Sequence, residues 1–242
     1  MSYPSVRTTE GTIERNKAPI IEALSSVIQD DEKGNILEFG SGTYEHIEGF
    51  ARKWENIIWW GTVRDDYEQN LVSTRLEEQN IRLSNLRQPR IVDFENSQHW
   101  DSLNAGVKYG HVSKPFIGVI LINVIHCCPI TLPEEVFKRL SPINPSSCPK
   151  LIDTSKGWIA TYGPWLNDDG TYKSEGDEKF DKEYIKSKSP LLGLRTIKSI
   201  TEIANKWGFI EESRKEMPKG NTFIVWRVKP QPQPQPQSQS SL

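Results

Sequence analysis

Residues 36–43, which read ILEFGSGT, decide the fold class of this chain. A short apolar run ends in a turn of small residues, and apolar side chains then recur at helical spacing at Ile47, Phe50, Ala51 and Trp54. Glycines in such a turn let the backbone approach a ligand closely, and the next helix offers unpaired N–H groups at its N-terminus. The stretch therefore predicts a buried strand, a ligand-binding turn and a helix.

Strand and helix patterns alternate on both sides of this stretch. The first helix is predicted to begin at a cap on Asn16, and further strands are predicted at residues 57–60, 90–93, 116–123 and 157–162. The run FIGVILIN at 116–123 is apolar on both faces, as a central parallel strand should be. A parallel sheet with helices on both faces accounts for this alternation.

The end of the sequence predicts a different pairing. Thr196 is a predicted cap for an amphipathic helix, and strand patterns at 209–215 and 221–228 are separated by a loop short enough for an antiparallel pair. Together with right-handed crossovers between the earlier strands, this predicts an α/β, Rossmann-like doubly wound fold. Its sheet is mostly parallel and seven-stranded, with an antiparallel last strand.

Composition narrows the class of protein. Lys and Arg number 30 against 32 Asp and Glu, which disfavours a nucleic-acid partner. The first residues have no apolar signal region, so we expect no membrane association and a cytoplasmic location, with the nucleus left open. Three cysteines and four histidines show no metal-ligand spacing, so no metal is predicted. We assign residues 1–229 to one domain and 230–242 to a disordered Pro/Gln-rich tail that could bind a partner.

The glycine turn also indicates the kind of cofactor. Glu38 stands two residues before Gly40, where a carboxylate can face the cationic amino-acid part of a nucleoside sulfonium. A dinucleotide site needs a third glycine, and none occurs between Thr43 and Ile47. The motif thus favours S-adenosylmethionine, the alternative being an ordinary strand-to-helix turn. The predicted cofactor-binding residues of the motif are Glu38, Gly40, Ser41, Gly42 and Thr43.

Polar residues at the carboxyl ends of the other strands complete the predicted site, because ligands bind at that edge of an open α/β sheet. Asp65 is the candidate for the ribose hydroxyls, Asp93 for the adenine amine, and Asn123 for the wall of the cofactor pocket. His126 and Tyr162 are predicted at the acceptor site, as the candidates for a general base. The alternatives are solvated turns, a helix cap, and packed core side chains.

These residues together resemble the family of methyltransferase-like protein twenty-six, over nearly the whole chain up to about Val228. The matching pieces are Glu14-Arg15-Asn16-Lys17, residues 37–43 with His46, Ile122-Asn123 with His126, Thr161-Tyr162-Gly163-Pro164, Phe180-Asp181, Gly193-Leu194-Arg195, and Met217-Pro218 with Asn221. The resemblance implies a class I methyltransferase fold and S-adenosylmethionine as cofactor. It also makes Arg15, Asn16 and Arg195 candidates for binding the substrate.

The chain departs from that family at two positions of the expected cofactor site. Val63 stands where the family has its ribose-binding acid, and Tyr44 stands where it has a glycine. The sequence therefore predicts an S-adenosylmethionine-dependent methyltransferase whose acceptor is a small molecule or a protein side chain. A non-catalytic binding or scaffold protein on the same fold is the main alternative, and a nucleotide-dependent oxidoreductase is the other.

Overall fold

The computed structural model describes residues 2–7, 11–112, 114–146 and 149–230. Within these residues, seven strands form one sheet: β1 (Gly34–Phe39), β2 (Ile57–Val63), β3 (Arg90–Ile91), β4 (Phe116–Ile122), β5 (Trp158–Pro164), β6 (Phe209–Glu216) and β7 (Asn221–Val228). The predicted tail, apart from Pro230, lies outside the described residues. None of the helices in the described part of the chain combines the length and apolar character of a membrane span.

The helices alternate with these strands. They are α1 (Thr12–Leu24), α2 (Glu45–Lys53), α3 (Asp66–Glu78), α4 (Ser97–Lys108), α5 (Thr131–Leu140), α6 (Glu175–Lys179) and α7 (Ile197–Lys206). A π-helical segment, Phe180–Ile185, continues α6 directly.

The sheet has the predicted topology. Its strand order is β3-β2-β1-β4-β5-β7-β6; β1 to β5 pair in parallel, and β7 is antiparallel to both β5 and β6. The order of the strands along the chain reverses between β1 and β4. This reversal opens a crevice at the carboxyl ends of the two strands, where open α/β sheets bind their ligands.

Alternate residues of the central strands fill two separate cores. In β4, Val119 and Leu121 join the cluster that packs on α4, α5 and α7, whereas Ile120 and Ile122 join the cluster that packs on α1, α2 and α3. Because successive side chains of a strand point to opposite faces, the apolar run of β4 supplies both cores. The sheet is thus covered by helices on both faces, as predicted.

Gly118 in β4 offers a direct test of this packing. A Cβ at this position would overlap the indole ring of Trp158 on the neighbouring strand β5. We expect Gly118→Ala to destabilise the protein by about 1–3 kcal/mol, since overpacking forces a large buried ring from its position. Denaturant unfolding measures this, with Gly176→Ala as the control because the added methyl group there meets only Ser174 at 3.6 Å. Equal stability of the two variants would contradict the packing described.

Several element boundaries differ from the prediction. Asn16 is not a helix cap: α1 begins at Thr12 after Gly11, whose φ of 73° marks the turn, and Asn16 lies buried within the helix. The predicted cap at Thr196 is confirmed, since its side chain accepts from the Ser199 amide. Helix α4 was not predicted, because polar residues separate its few buried side chains.

Candidate functional site

A cavity of about 720 Å³ lies at the carboxyl ends of the parallel strands. Its wall includes Glu38 at the end of β1, Val63 at the end of β2, Ile122 at the end of β4, and Tyr162 on β5. Small-molecule sites commonly enclose about 300–1,000 Å³. The predicted site residues in this wall are Arg15, Asn16, Glu38, Gly40, Ser41, Gly42, Thr43, Asn123, His126 and Tyr162.

The glycine turn after β1 is held in place from β2. The amide of Gly40 donates to Thr62 Oγ1 at 3.1 Å, and the amide of Ser41 donates to the Thr62 carbonyl at 2.7 Å. Gly40 and Gly42 have φ values of 65° and 52°, which side chains rarely tolerate. The amides of Gly42 and Thr43 donate to no acceptor within the described residues, so they remain available to a ligand.

Tyr44 does not fill the cavity, although it replaces a small residue expected in the turn. Its φ is 72°, and its fully buried ring lies against Gly61 of β2, with the hydroxyl donating to the Arg87 carbonyl at 3.2 Å. The left-handed backbone costs about 1–2 kcal/mol. Burial of the ring, worth about 1.5–3 kcal/mol, offsets this strain. The departure at Tyr44 therefore leaves the ligand side of the turn open.

Glu38 is the most perturbed acid in the cavity wall. Its side chain is 1% exposed, and its Oε2 atom has no hydrogen-bond partner in the structure. Burial raises the pKa of this carboxyl to about 8, against the opposing effect of a hydrogen bond from Ser41. A buried acceptor without a donor is costly, so this atom is suited to a ligand that brings a cationic or N–H group.

At the end of β2, the acid in the cavity wall is Glu68 rather than the predicted Asp65. Asp65 caps α3, because its Oδ1 accepts from the Glu68 amide at 2.9 Å, and it is absent from the cavity wall. Glu68 lies in the wall, where its carboxylate accepts from the Arg64 amide at 2.9 Å and from Ser5 Oγ at 3.2 Å. The aliphatic side chain of Val63 lines the cavity beside it.

Two more predicted residues lie outside the cavity wall. The Oδ1 atom of Asp93 accepts from the Glu95 amide at 3.1 Å, so this side chain forms a turn. Its neighbours Val92 and Phe94 line the cavity. Arg195 donates to the carbonyls of Leu191 and Cys128, at 2.8 and 3.4 Å. It therefore connects the loop that contains Cys128 with the loop that contains Leu191.

The Phe180-Asp181 and Gly193-Leu194-Arg195 elements meet in the structure. Asp181 is fully buried; it forms an ion pair with Lys186 at 2.6 Å and accepts from the amide of Leu194 at 2.7 Å. A Cβ on Gly193 would come within 3.0 Å of the Asp181 carboxylate. These contacts hold the π-helical segment against the loop at Gly193, so that Phe180 faces the cavity.

Beyond the end of β4, the cavity is lined by the aromatic rings of His126 and Phe180. His126 follows β4, is 4% exposed, and packs edge-on against Phe180 with ring centroids 5.5 Å apart. Burial lowers the pKa of His126 to about 4; nearby Asp181 opposes this effect, whereas Arg195 adds to it. His126 is therefore a neutral imidazole near pH 7. Asn123 lies beside it in a left-handed conformation with a φ of 57°.

Asn16 links α1 to α2 and to β5 in the same wall. Its Oδ1 lies 2.7 Å from Nε2 of His46, and both residues are buried. Burial and the nearby Lys17 lower the pKa of His46 to about 4. Burial raises the pKa of Tyr162, and a hydrogen bond from the Asn16 side chain lowers it. Asn16 and His46 thus form a hydrogen-bonded pair in the cavity wall, to which Tyr162 also belongs.

Residues 2–7, which we call the N-terminal strap, cross the outer side of the cavity. The ring of Tyr3 stacks under the Arg64 guanidinium at 3.9 Å, and the Tyr3 carbonyl accepts a hydrogen bond from it at 2.6 Å. At the other end of the strap, the Arg7 carbonyl accepts from the Tyr184 hydroxyl at 3.0 Å. The strap was not predicted as part of the site, because nothing in its sequence marks these long-range contacts.

The comparisons with known proteins agree with this architecture. A family model described as a protein of unknown function (DUF938) matches residues 7–228. An O-methyltransferase family protein from Burkholderia thailandensis superposes with a TM-score of 0.65 at 10% identity, over 90% of this chain and 57% of the other. The class I methyltransferase-like fold implied by the resemblance is confirmed, whereas the family name methyltransferase-like protein twenty-six stays a prediction.

Two further solved structures contain a bound product of the predicted cofactor. PigF with SAH has a TM-score of 0.64 at 12% identity, over 89% of this chain and 56% of that protein. The SAH-bound form of CalO1, a methyltransferase in calicheamicin biosynthesis, has a TM-score of 0.58 at 10% identity, over 90% and 55%. The chain thus spans little more than half the length of these structures, and the likeness concerns the fold.

Proposed function

The chain belongs to the DUF938 family of proteins of unknown function, and we propose that it is an S-adenosylmethionine-dependent methyltransferase. The observation that carries the proposal is the buried carboxyl group of Glu38, whose Oε2 has no partner, beside an open glycine turn in the wall of a large cavity. An O-methyltransferase family protein with a similar fold, and two similar structures that contain SAH, support it.

The residues of the cavity wall fit this cofactor. Glu38 can accept from the ammonium group of the methionine portion, and the free amides of Gly42 and Thr43 can donate to its carboxylate. Glu68, rather than Asp65, would accept from the ribose hydroxyls, and Val92 and Phe94 would offer apolar contacts to the adenine. Asp93 would then contribute indirectly, by forming the turn that positions Val92 and Phe94.

When bound, S-adenosylmethionine supplies a methyl group that is already activated. The protein's task is consequently to align the acceptor and to exclude water. His126, Tyr162 and Asn123 line the cavity, and in our proposal His126 and Tyr162 would face the acceptor while Asn123 would contact the cofactor. His126 can accept a proton because it is neutral, but its low pKa makes it a weak base.

Val63 favours the alternative function, a binding or scaffold protein without turnover. An aliphatic residue at the end of β2 removes a direct carboxylate partner for the ribose, which would suit a binding or scaffold protein that no longer turns over. Glu68 compensates for this loss in our proposal. The acceptor, a small molecule or a protein side chain, distinguishes the two functions, because only the enzyme would methylate it.

The first experiment is calorimetric titration of the purified protein with S-adenosylhomocysteine and, separately, with NAD. We expect micromolar binding of the former and none of the latter. A screen of acceptors that detects released S-adenosylhomocysteine follows. Failure of S-adenosylhomocysteine to bind would overturn the proposed function, and binding without turnover over a broad screen would favour the scaffold.

The two acids near the end of β2 give a paired prediction. We expect Glu68→Gln to weaken S-adenosylhomocysteine binding about tenfold, because hydrogen bonds to a charged acceptor are worth about 1.5–3 kcal/mol. Asp65→Ala should instead lower the free energy of unfolding by about 1 kcal/mol through loss of the α3 cap, with binding unchanged. Calorimetry and denaturant unfolding of both variants check this; a reversed pattern would restore Asp65 as the ribose acid.

A further inference from the structure

We infer that the protein has a second binding site, for a phosphate monoester, in a separate cavity of about 520 Å³ beside β3 and α4. The central residue of this site is Arg90 on β3, and His99 on α4 and His111 after α4 lie in the same wall. None of the three belongs to the wall of the cavity that contains Glu38, so the inference is independent of the proposed function.

Arg90 is a half-buried cation without an acceptor. Its guanidinium lies over the Trp60 ring, 4.8 Å from the ring centroid, and it makes no hydrogen bond or ion pair with the described residues. Burial lowers the pKa of this guanidinium, against an opposing effect of Tyr44. A cation removed from water costs free energy unless an anion pairs with it. Arg90 is therefore suited to a ligand that carries negative charge.

Helix α4 leaves room for the guanidinium and for a ligand beside it. Gly106 lies in the cavity wall, and a Cβ at this position would come within 3.1 Å of the Nη1 atom of Arg90. Ser102 and Ala105, which are also small, line the same wall. The unpartnered nitrogens of Arg90 consequently remain accessible from the cavity instead of being covered by the helix.

His99 adds a second donor that lacks an acceptor. Its Nδ1 atom accepts from the Asp93 amide at 3.0 Å, so the hydrogen of the neutral imidazole is on Nε2. The side-chain nitrogen of Asn96 lies 3.3 Å from this Nε2 and is itself a donor, because Asn96 Oδ1 accepts from the Gln98 amide. Two N–H groups thus meet without an acceptor, and an oxygen of a bound anion can supply one to His99.

The composition of the wall points to a phosphate group. Its described residues include no Asp or Glu, while Arg90, His99 and His111 bring nitrogen donors from three segments of the chain. The fork of one arginine can satisfy both oxygens of a carboxylate, whereas a phosphate has a further oxygen for the imidazoles. The rest of the ligand meets a wall in which apolar side chains predominate: Pro89, Ile91, Val92, Leu103, Ala105 and Tyr109.

The test is a titration of the full-length protein with phenyl phosphate near pH 7 and at constant ionic strength, followed in proton–nitrogen correlation spectra. The side-chain Nε–H signal of Arg90 is identified by its loss in Arg90→Gln. We expect a saturable shift of this signal and of the backbone amides of Gly106 and Tyr109. Shifts confined to the amides of Gly42 and Thr43 would place the phosphate in the other cavity and overturn the inference.

Arg87 provides a matched control for Arg90. Its guanidinium also lies over Trp60, 5.7 Å from the ring centroid, but it donates to the Ser84 carbonyl at 2.9 Å and is absent from the wall of this cavity. With the Gly106 amide as the readout, Arg90→Gln should weaken phenyl phosphate binding at least about tenfold, as expected for loss of charge-assisted hydrogen bonds. Arg87→Gln should leave the affinity within about twofold, and equal losses in both variants would contradict a site at Arg90.

Benzoate separates the phosphate group from a carboxylate on the same ring. We expect phenyl phosphate to bind at least about threefold more tightly than benzoate, because it offers more oxygens and more charge. Arg90→Lys keeps the charge but loses the fork, and it should weaken phenyl phosphate binding about threefold even if Arg90→Gln disturbs the fold. Equal affinity for the two probes, wild-type affinity in both Arg90 variants, or no saturable shift at Gly106 would each overturn the inference.

Discussion

Replacing Gly40 by arginine should abolish S-adenosylhomocysteine binding, with the affinity falling below calorimetric detection. Gly40 has a φ of 65° in the turn after β1, and a Cβ there would already come within 3.0 Å of Val124 Cγ2. Gly40 lies in the cavity wall, so an arginine side chain there would compete with the ligand for the space of the cavity. The experiment is the same titration that tests the wild-type protein.

The control for this variant is Gly170→Arg. Gly170 has a φ of 86°, a Cβ added there would meet no atom within 4 Å, and the residue is not part of the cavity wall, so the substitution carries a similar backbone strain outside the site. Both variants should lose about 1–2 kcal/mol of stability, but only Gly40→Arg should lose the ligand. Retained binding in Gly40→Arg would mean that the cavity at the end of β1 is not the cofactor site.

The second large effect concerns the stability of the ligand-free protein as a function of pH. The pKa of Glu38 is about 8 in the folded protein against 4.5 in its ordinary range, so above pH 4.5 the folded state binds more protons than the unfolded state. Stability is therefore greatest below pH 4.5 as far as this group is concerned, and it is lost as the pH rises toward 8. At roughly 1.4 kcal/mol per unit of pKa difference, the loss amounts to several kcal/mol.

The two buried histidines act in the opposite direction. His46 and His126 have pKa values of about 4 against an ordinary 6.5, so the stability due to their neutral forms is present above pH 6.5 and is lost as the pH falls toward 4. The two pH windows overlap between 4.5 and 6.5, where two histidines act against one acid, so stability should rise with pH to a maximum near pH 6.5 and fall from there toward pH 8. Glu38→Gln should remove the decline above pH 6.5 and steepen the rise below it.

Thermal or denaturant unfolding between about pH 4 and 8.5 measures both declines. The upper limit lies below the ordinary pKa of 9 for the thiols of Cys127 and Cys128, whose raised pKa values would otherwise contribute. Glu22→Gln is the control, because that carboxylate is exposed and pairs with Lys215 on the surface. A decline toward pH 8 that persists in Glu38→Gln would contradict the assignment to Glu38.

Much of the fold could be predicted from local patterns, because the residues that identify a buried strand or a glycine turn are adjacent in the sequence. The run at 116–123 became the central strand β4, and the final antiparallel pair was correctly anticipated. Helix α4 and the π-helical segment were missed, since their apolar residues are sparse and their packing depends on distant partners. The predicted cap at Asn16 was wrong, because α1 begins one turn earlier at Thr12 and the Asn16 amide oxygen pairs with His46.

From strand and turn patterns, the site was predictable only next to the ends of strands, and the family resemblance added Arg15 and Asn16 on α1. Glu38, Asn123 and Tyr162 follow directly from the position of β1, β4 and β5. Whether Asp65 faces a ligand or caps the next helix depends on a rotation of one side chain, which no spacing rule encodes. Glu68 lies one helical turn later, and the N-terminal strap reaches the cavity through contacts more than 60 residues apart in sequence.

The ring of Tyr44 occupies the space that a side chain at position 61 would need, and this has an evolutionary consequence. A methyl group at position 61 cannot coexist with the tyrosine, and a glycine at position 44 would leave an unfilled hole against β2. The two positions should therefore change in concert among relatives, a smaller residue at one accompanying a larger residue at the other. The residue inherited at position 44 of the turn is then constrained by position 61 in the interior rather than by the ligand.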